Sequence, residues 1–134
     1  MMKSRKNRRI TLALLLALTL LYACSPGGYR NIDVKEAKAL LDGKRGDVFL
    51  LDVRTRQEFS AGHLEGAFLI PIDSLDVRMV ELMPHKEKEI VVYCAVGGRS
   101  SKAANLLLKK GFTKITNMSG GIQAWQQAGY PVVR

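Results

Sequence analysis

Short apolar runs that alternate with capped amphipathic segments constrain this chain more than any other feature. Val48-Phe49-Leu50-Leu51, Ala67–Ile70 and Ile90-Val91-Val92-Tyr93 are too short for buried helices. They are also too uniformly apolar for strands with one wet face, so they predict strands buried on both sides. Phe112–Met118 reads as a last strand. Between the runs lie helix signals. Asp33 with Glu36, and Thr55 with Glu58, have capping-box spacing. Val34, Ala37, Leu40 and Leu41 share one face of the first helix, with Gly43 as its C-cap. The second helix reaches Ala61. Ser74–Leu82 and Ser100–Lys110 follow, the latter stopped by Gly111, with Ala103, Ala104 and Leu106–Leu108 available to face a sheet. Ile122–Ala128 closes the series before Gly129 and Pro131. Alternation of this kind predicts an α/β fold with a parallel sheet covered on both faces. In such sheets ligands sit at the carboxyl ends of the strands. Three stretches fall there: Asp52-Val53-Arg54, Cys94–Arg99 and Ser119-Gly120-Gly121.

The chain has 134 residues, enough for one core and little else. Its first residues read as targeting. Met1–Arg9 is a positive stretch, and Ile10–Leu21 is apolar but for Thr11 and Thr19. As a helix that run would span roughly 18 Å against ~30 Å for a bilayer core, which suits a signal segment better than a membrane span. Leu21-Tyr22-Ala23-Cys24 then resembles the lipobox of bacterial lipoproteins, in which the cysteine becomes the acylated N-terminus. The expected organisation is a signal peptide over 1–23, a lipidated Cys24 with a flexible tether over 24–28, and a folded domain over 29–134. Ordinary secretion and an uncleaved anchor are the alternatives. The resulting location is the bacterial cell envelope, outside the cytoplasm, with the membrane reached through the lipid.

The net charge of +9 does not point to nucleic acid. Lys3, Arg5, Lys6, Arg8 and Arg9 account for five of those charges, and the rest are scattered, with no basic stripe interleaved with aromatics. No metal ligand set and no cofactor is expected, and a monomer is.

If Cys24 carries lipid, Cys94 is the only thiol of the mature chain, so no internal disulfide can form. Cys94 follows a buried strand and precedes a helix predicted to begin about six residues later. Gly97 and Gly98 permit the sharp turn between them. Such a loop points N–H groups inward, and the helix N-terminus adds positive partial charge. A thiolate in that nest is favoured, so the Cys94 pKa should fall. Arg99 adds a permanent cation that would bind a donor's oxyanion or form an ion pair with Asp52 or Glu58. Ser100 or Ser101 would cap the helix or donate to an anion. His85 reads as solvent-exposed and Trp125 as core.

Cys94-Ala95-Val96-Gly97-Gly98-Arg99-Ser100 resembles the active-site loop Cys-x-x-Gly-x-Arg-Ser of the rhodanese domain. Leu51-Asp52-Val53-Arg54, Glu58-Phe59, Gly62-His63-Leu64, Gly66-Ala67 and Ile70-Pro71 are similar to that family's N-terminal signature. Gly120-Gly121, Trp125 and Ala128–Val132 are similar to its C-terminal one. The resemblance implies a three-layer domain with about five parallel strands flanked by helices. It also implies a sulfurtransferase, with Cys94 as nucleophile and persulfide carrier. Backbone N–H groups from Ala95 through Val96, Gly97, Gly98 and Arg99 to Ser100 would form the cradle. Asp52 and Arg54 would organise its surroundings, and His63 would be architectural. The partners would be a small sulfur donor such as thiosulfate and a thiol or cyanide acceptor. Cysteine-based phosphatases and arsenate reductases use a larger Cys-x5-Arg ring, whereas four residues separate Cys94 from Arg99 here. A non-catalytic persulfide-carrying or partner-docking module is the other alternative.

Overall fold

The computed structural model describes residues 27–134; the expected signal peptide and Cys24 lie outside them. Five strands form one parallel sheet: β1 (Arg30–Ile32), β2 (Val48–Asp52), β3 (Phe68–Leu69), β4 (Glu89–Tyr93) and β5 (Ile115–Met118). Their order is β1-β5-β4-β2-β3. Among the described residues, α1 (Val34–Gly43), α2 (Arg56–Ala61) and α3 (Gly98–Lys109) each lie between consecutive strands, and α4 (Gly121–Gln127) follows β5.

Strand alternation builds two cores from the same runs. Leu51, Ile90 and Val92 face one side, where Ala103, Ala104 and Leu107 of α3 cover them. Leu50, Val91 and Tyr93 face the other, against Ala37 of α1 and Ile122 and Trp125 of α4. This two-sided burial is why the central strands carry no polar alternation. Leu107 is fully buried, a burial that stabilises by roughly 1.5–3 kcal/mol. Both capping boxes form: the Asp33 carboxylate accepts from the Glu36 N–H, and the Thr55 hydroxyl accepts from the Glu58 N–H. The Glu36 and Glu58 carboxylates reach back to the two cap N–H groups.

The structure departs from the sequence reading in several places. Ser74–Leu82 is not an α-helix but parts of two 3-10 helices, Ile72–Ser74 and Met79–His85. Pro84 has no N–H to give and would crowd the Val80 carbonyl of an α-helix, while a three-residue turn puts Met79 and Leu82 together in the core. The last strand starts at Ile115, because Phe112 belongs to the end of α3. Gly111 takes a φ of 87° and the Phe112 N–H closes on the Leu107 carbonyl at 3.1 Å. Gly43 is the last helical residue of α1 rather than its cap; the Lys44 N–H closes the turn onto Leu40 at 3.0 Å. His85 is half-buried and stacks on Phe49 with ring centroids 4.3 Å apart. β1 had no sequence signal, being three residues long with two of them exposed at a sheet edge.

Candidate active site

Asp52, Tyr93 and Met118 end three neighbouring strands, and the loops that follow them meet at one end of the sheet. The Asp52 carboxylate is fully buried and holds the Arg54 side chain, whose Nη2 lies 2.7 Å from Oδ2. Arg54 Nη2 also donates to the Gly62 carbonyl at 2.8 Å, and Nη1 to the Glu58 carbonyl at 3.3 Å. Burial opposes the Arg54 charge, but the hydrogen bond and charge of Asp52, with Tyr93 adding to them, together outweigh it and raise the guanidinium pKa. This pair therefore ties the middle and the C-terminal end of α2 to the end of β2.

Cys94 follows β4 directly, and only Ala95, Val96 and Gly97 separate it from α3. The helix begins at Gly98, two residues earlier than the sequence reading placed it, because Gly97 turns left-handed at φ 115° and leads straight into it. Arg99 and Ser100 consequently lie in the first helical turn, with the helix N-terminus close to the sulfur.

The Gly97 N–H donates to Cys94 Sγ at 3.0 Å. Cys94 Sγ lies 3.4 Å from Ser100 Oγ, within hydrogen-bond distance. Cys94 is 1% exposed. That burial pushes its pKa up, but the Ser100 hydroxyl and the Ser100, Gly97 and Val96 N–H groups outweigh it, and the thiol titrates below its ordinary range. Ser100 and Ser101 also donate to the Gly97 carbonyl at 3.1 and 2.8 Å, fixing the loop's corner. Asn117 of β5 donates to Ser101 Oγ at 3.3 Å, extending that support into the sheet.

Arg99 pairs with Glu58, not Asp52. Its two terminal nitrogens donate to the two carboxylate oxygens at 2.8 and 2.7 Å. The hydrogen bonds from Arg99 hold the Glu58 carboxyl at about 2, with the Thr55 contacts adding to the effect. Gly120-Gly121 contributes what sequence reasoning missed. Ile122 and Gln123, in the first turn of α4, donate their N–H groups to the carbonyls of Cys94 and Ala95 at 2.9 and 3.1 Å. Those carbonyls are thereby held away from the sulfur. Gly121 sits at φ 59°, and a Cβ there would come within 2.4 Å of the Cys94 oxygen. A double glycine opening a helix at a third strand end was the available signal. His63 lies apart: its Nδ1 is 3.0 Å from the Phe59 carbonyl, its ring stacks on Phe59, and its backbone pairs with Val133. Trp125 is core, with Nε1 donating to the Pro131 carbonyl at 2.9 Å.

A thiol ringed by N–H donors at the carboxyl end of a parallel sheet is the arrangement of an α/β domain with a cysteine nucleophile. The chain belongs to the rhodanese-like domain family, whose family model matches residues 33–128. A sulfurtransferase of Allochromatium vinosum is 37% identical over 87 residues, spanning 65% of this chain and 79% of that protein. A rhodanese-like domain from Anabaena, solved in solution, superposes with a TM-score of 0.69 at 32% identity, covering 82% of this chain and 80% of its own. The thiosulfate sulfurtransferase of Pseudomonas aeruginosa superposes with a TM-score of 0.70 at 27% identity. The match covers 79% of this chain and only 20% of that one.

Proposed function

We propose that this protein is a sulfurtransferase that carries sulfur as a persulfide on Cys94 and is exported and held at a membrane of the bacterial envelope by lipid on Cys24. The observation that carries the catalytic part is the Cys94 thiol, its pKa lowered by donors from Gly97 and Ser100. The thiolate attacks the sulfane sulfur of a donor, thiosulfate being the simplest. The Sγ–S bond forms, the donor's S–S bond breaks and sulfite leaves with the electron pair. An acceptor thiol or cyanide then takes the outer sulfur and returns the thiolate. The N–H groups that favour the thiolate also favour the persulfide anion. A phosphate cradle is disfavoured by the four-residue spacing and by Arg99, whose guanidinium Glu58 occupies.

Intact-mass measurement of the purified protein, first with thiosulfate and then with cyanide, tests this reading. The expected result is a gain of one sulfur that maps to Cys94 and is removed by cyanide. Sulfur uptake undiminished in Cys94→Ser would overturn it. The anchoring reading is supported by the Leu21–Cys24 motif after the apolar run. Incorporation of labelled fatty acid in the native host, lost in Cys24→Ala, is the result expected; labelling equal in both would overturn it.

A further inference from the structure

Two carboxylate–guanidinium pairs stand at this end of the sheet, and they share α2. Asp52–Arg54 is buried and clamps the helix. Glu58–Arg99 is two-thirds buried and joins the helix to the first turn of α3, with side-chain exposures of 35% and 33%. Glu58 is held from a second side, since its Oε2 accepts from the Thr55 N–H at 2.9 Å in the capping box. Its position is therefore set by α2 as well as by Arg99. The loop adds no other fixed cation: Ala95 and Val96 are apolar, and Val96 is 61% exposed at the tip.

We infer that Glu58 determines the class of sulfur donor, engaging both arms of the Arg99 guanidinium so that hydropersulfides of low charge (R–S–SH) are used in preference to dianionic thiosulfate. The inference deepens the sulfurtransferase reading and rests on it. Thiosulfate brings three sulfonate oxygens to the mouth of the loop and leaves as dianionic sulfite. To meet them, Arg99 must release a bidentate carboxylate, which then stands uncovered beside the incoming charge. A hydropersulfide makes no such demand. The Cys94 thiolate attacks its sulfane sulfur and the Sγ–S bond forms as the donor's S–S bond breaks. The departing RS⁻ takes the proton from the transferred sulfur, giving Cys94–S–S⁻ and RSH with no outside oxidant or reductant. The one charge in play stays on sulfur, where the Gly97 N–H already points.

Glu58→Gln is the variant of choice, because glutamine at the third helical position preserves a capping box while removing the charge. The full chain would be assayed with thiosulfate and with 2-hydroxyethyl hydropersulfide, cyanide being the acceptor and the uncatalysed rate subtracted. Intact mass would report sulfur on Cys94 alongside. The expected result is a rise of about tenfold in the ratio of kcat/KM for thiosulfate to that for the hydropersulfide, lost again in the Glu58→Gln/Arg99→Gln double variant. General loosening of the loop would depress both donors and leave the ratio alone. An unchanged or lower ratio, with Cys94 still taking up sulfur, would overturn the role of Glu58 and leave the sulfurtransferase reading standing. No sulfur on wild-type Cys94 from either donor would overturn both.

Discussion

The N–H of Ile122 donates to the carbonyl oxygen of Cys94 at 2.9 Å, so α4 holds the residue that carries the thiol by its backbone. A nest that favours anions needs its N–H groups turned in and its carbonyls turned out. Gln123 does the same for Ala95 at 3.1 Å. The contact is possible because Gly121 lets helix and loop approach without a side chain between them.

Gly121→Ala should therefore disable the loop. The new Cβ would lie 2.4 Å from the Cys94 oxygen and 2.5 Å from the Ala95 oxygen, at a φ of 59°. Strain from the positive φ alone costs about 1–2 kcal/mol, and the clash with backbone adds to it. Urea unfolding should show a loss of at least about 2 kcal/mol, with slower Cys94 alkylation in the protein that remains folded.

Ser100→Ala should move the Cys94 titration. The hydroxyl is the largest of the influences that lower the thiol pKa. Iodoacetamide alkylation of the wild type should reach half its limiting rate at a lower pH than that of a free thiol assayed alongside. In Ser100→Ala that midpoint should move upward. A midpoint that stays put would assign the lowering to the backbone N–H groups alone.

Acid should weaken the protein through Glu58. Its carboxyl is held at about 2 in the folded state against an ordinary value of 4.5, chiefly by Arg99. The unfolded chain thus takes up the proton first. The pair's stability is fully present above pH 4.5 and is lost as pH falls toward 2. For a pair about one-third exposed, screening leaves about 1 kcal/mol. Glu58→Gln should be less stable than wild type by that amount at pH 6, and the gap should close near pH 2 in urea titrations.

Arg54→Met should be among the costlier single changes in the molecule. It would leave the Asp52 carboxylate buried without a cation, a loss of about 3–5 kcal/mol. The Asp52→Asn/Arg54→Met double variant, which removes both charges, should lose less. Equal losses in chemical denaturation would mean that the pair's charges do not matter to each other.

The parts legible in the sequence were those whose cause is local. Both capping boxes involve residues three apart, and both formed. The run Ile90–Tyr93 forms most of β4, and the glycines after Cys94 provided the turn. β1 was invisible because its three residues show no apolar pattern and pair only at an edge. The segment Ser74–Leu82 misled because Leu75, Met79 and Leu82 are spaced for an α-helix, while Pro84 and the packing drew the chain into tighter turns.

By itself, the sequence determined the two-sided strands, the capped helices and a thiol set between a strand and a helix N-terminus, since each follows from steric and hydrogen-bonding rules over a few residues. Only the tertiary structure decided that Arg99 meets Glu58 across 41 residues rather than Asp52, and that α4 grips the carbonyls of the Cys94 loop. Those contacts join strand ends far apart in the chain. They exist because sheet order brings β2, β4 and β5 side by side, which no local spacing specifies.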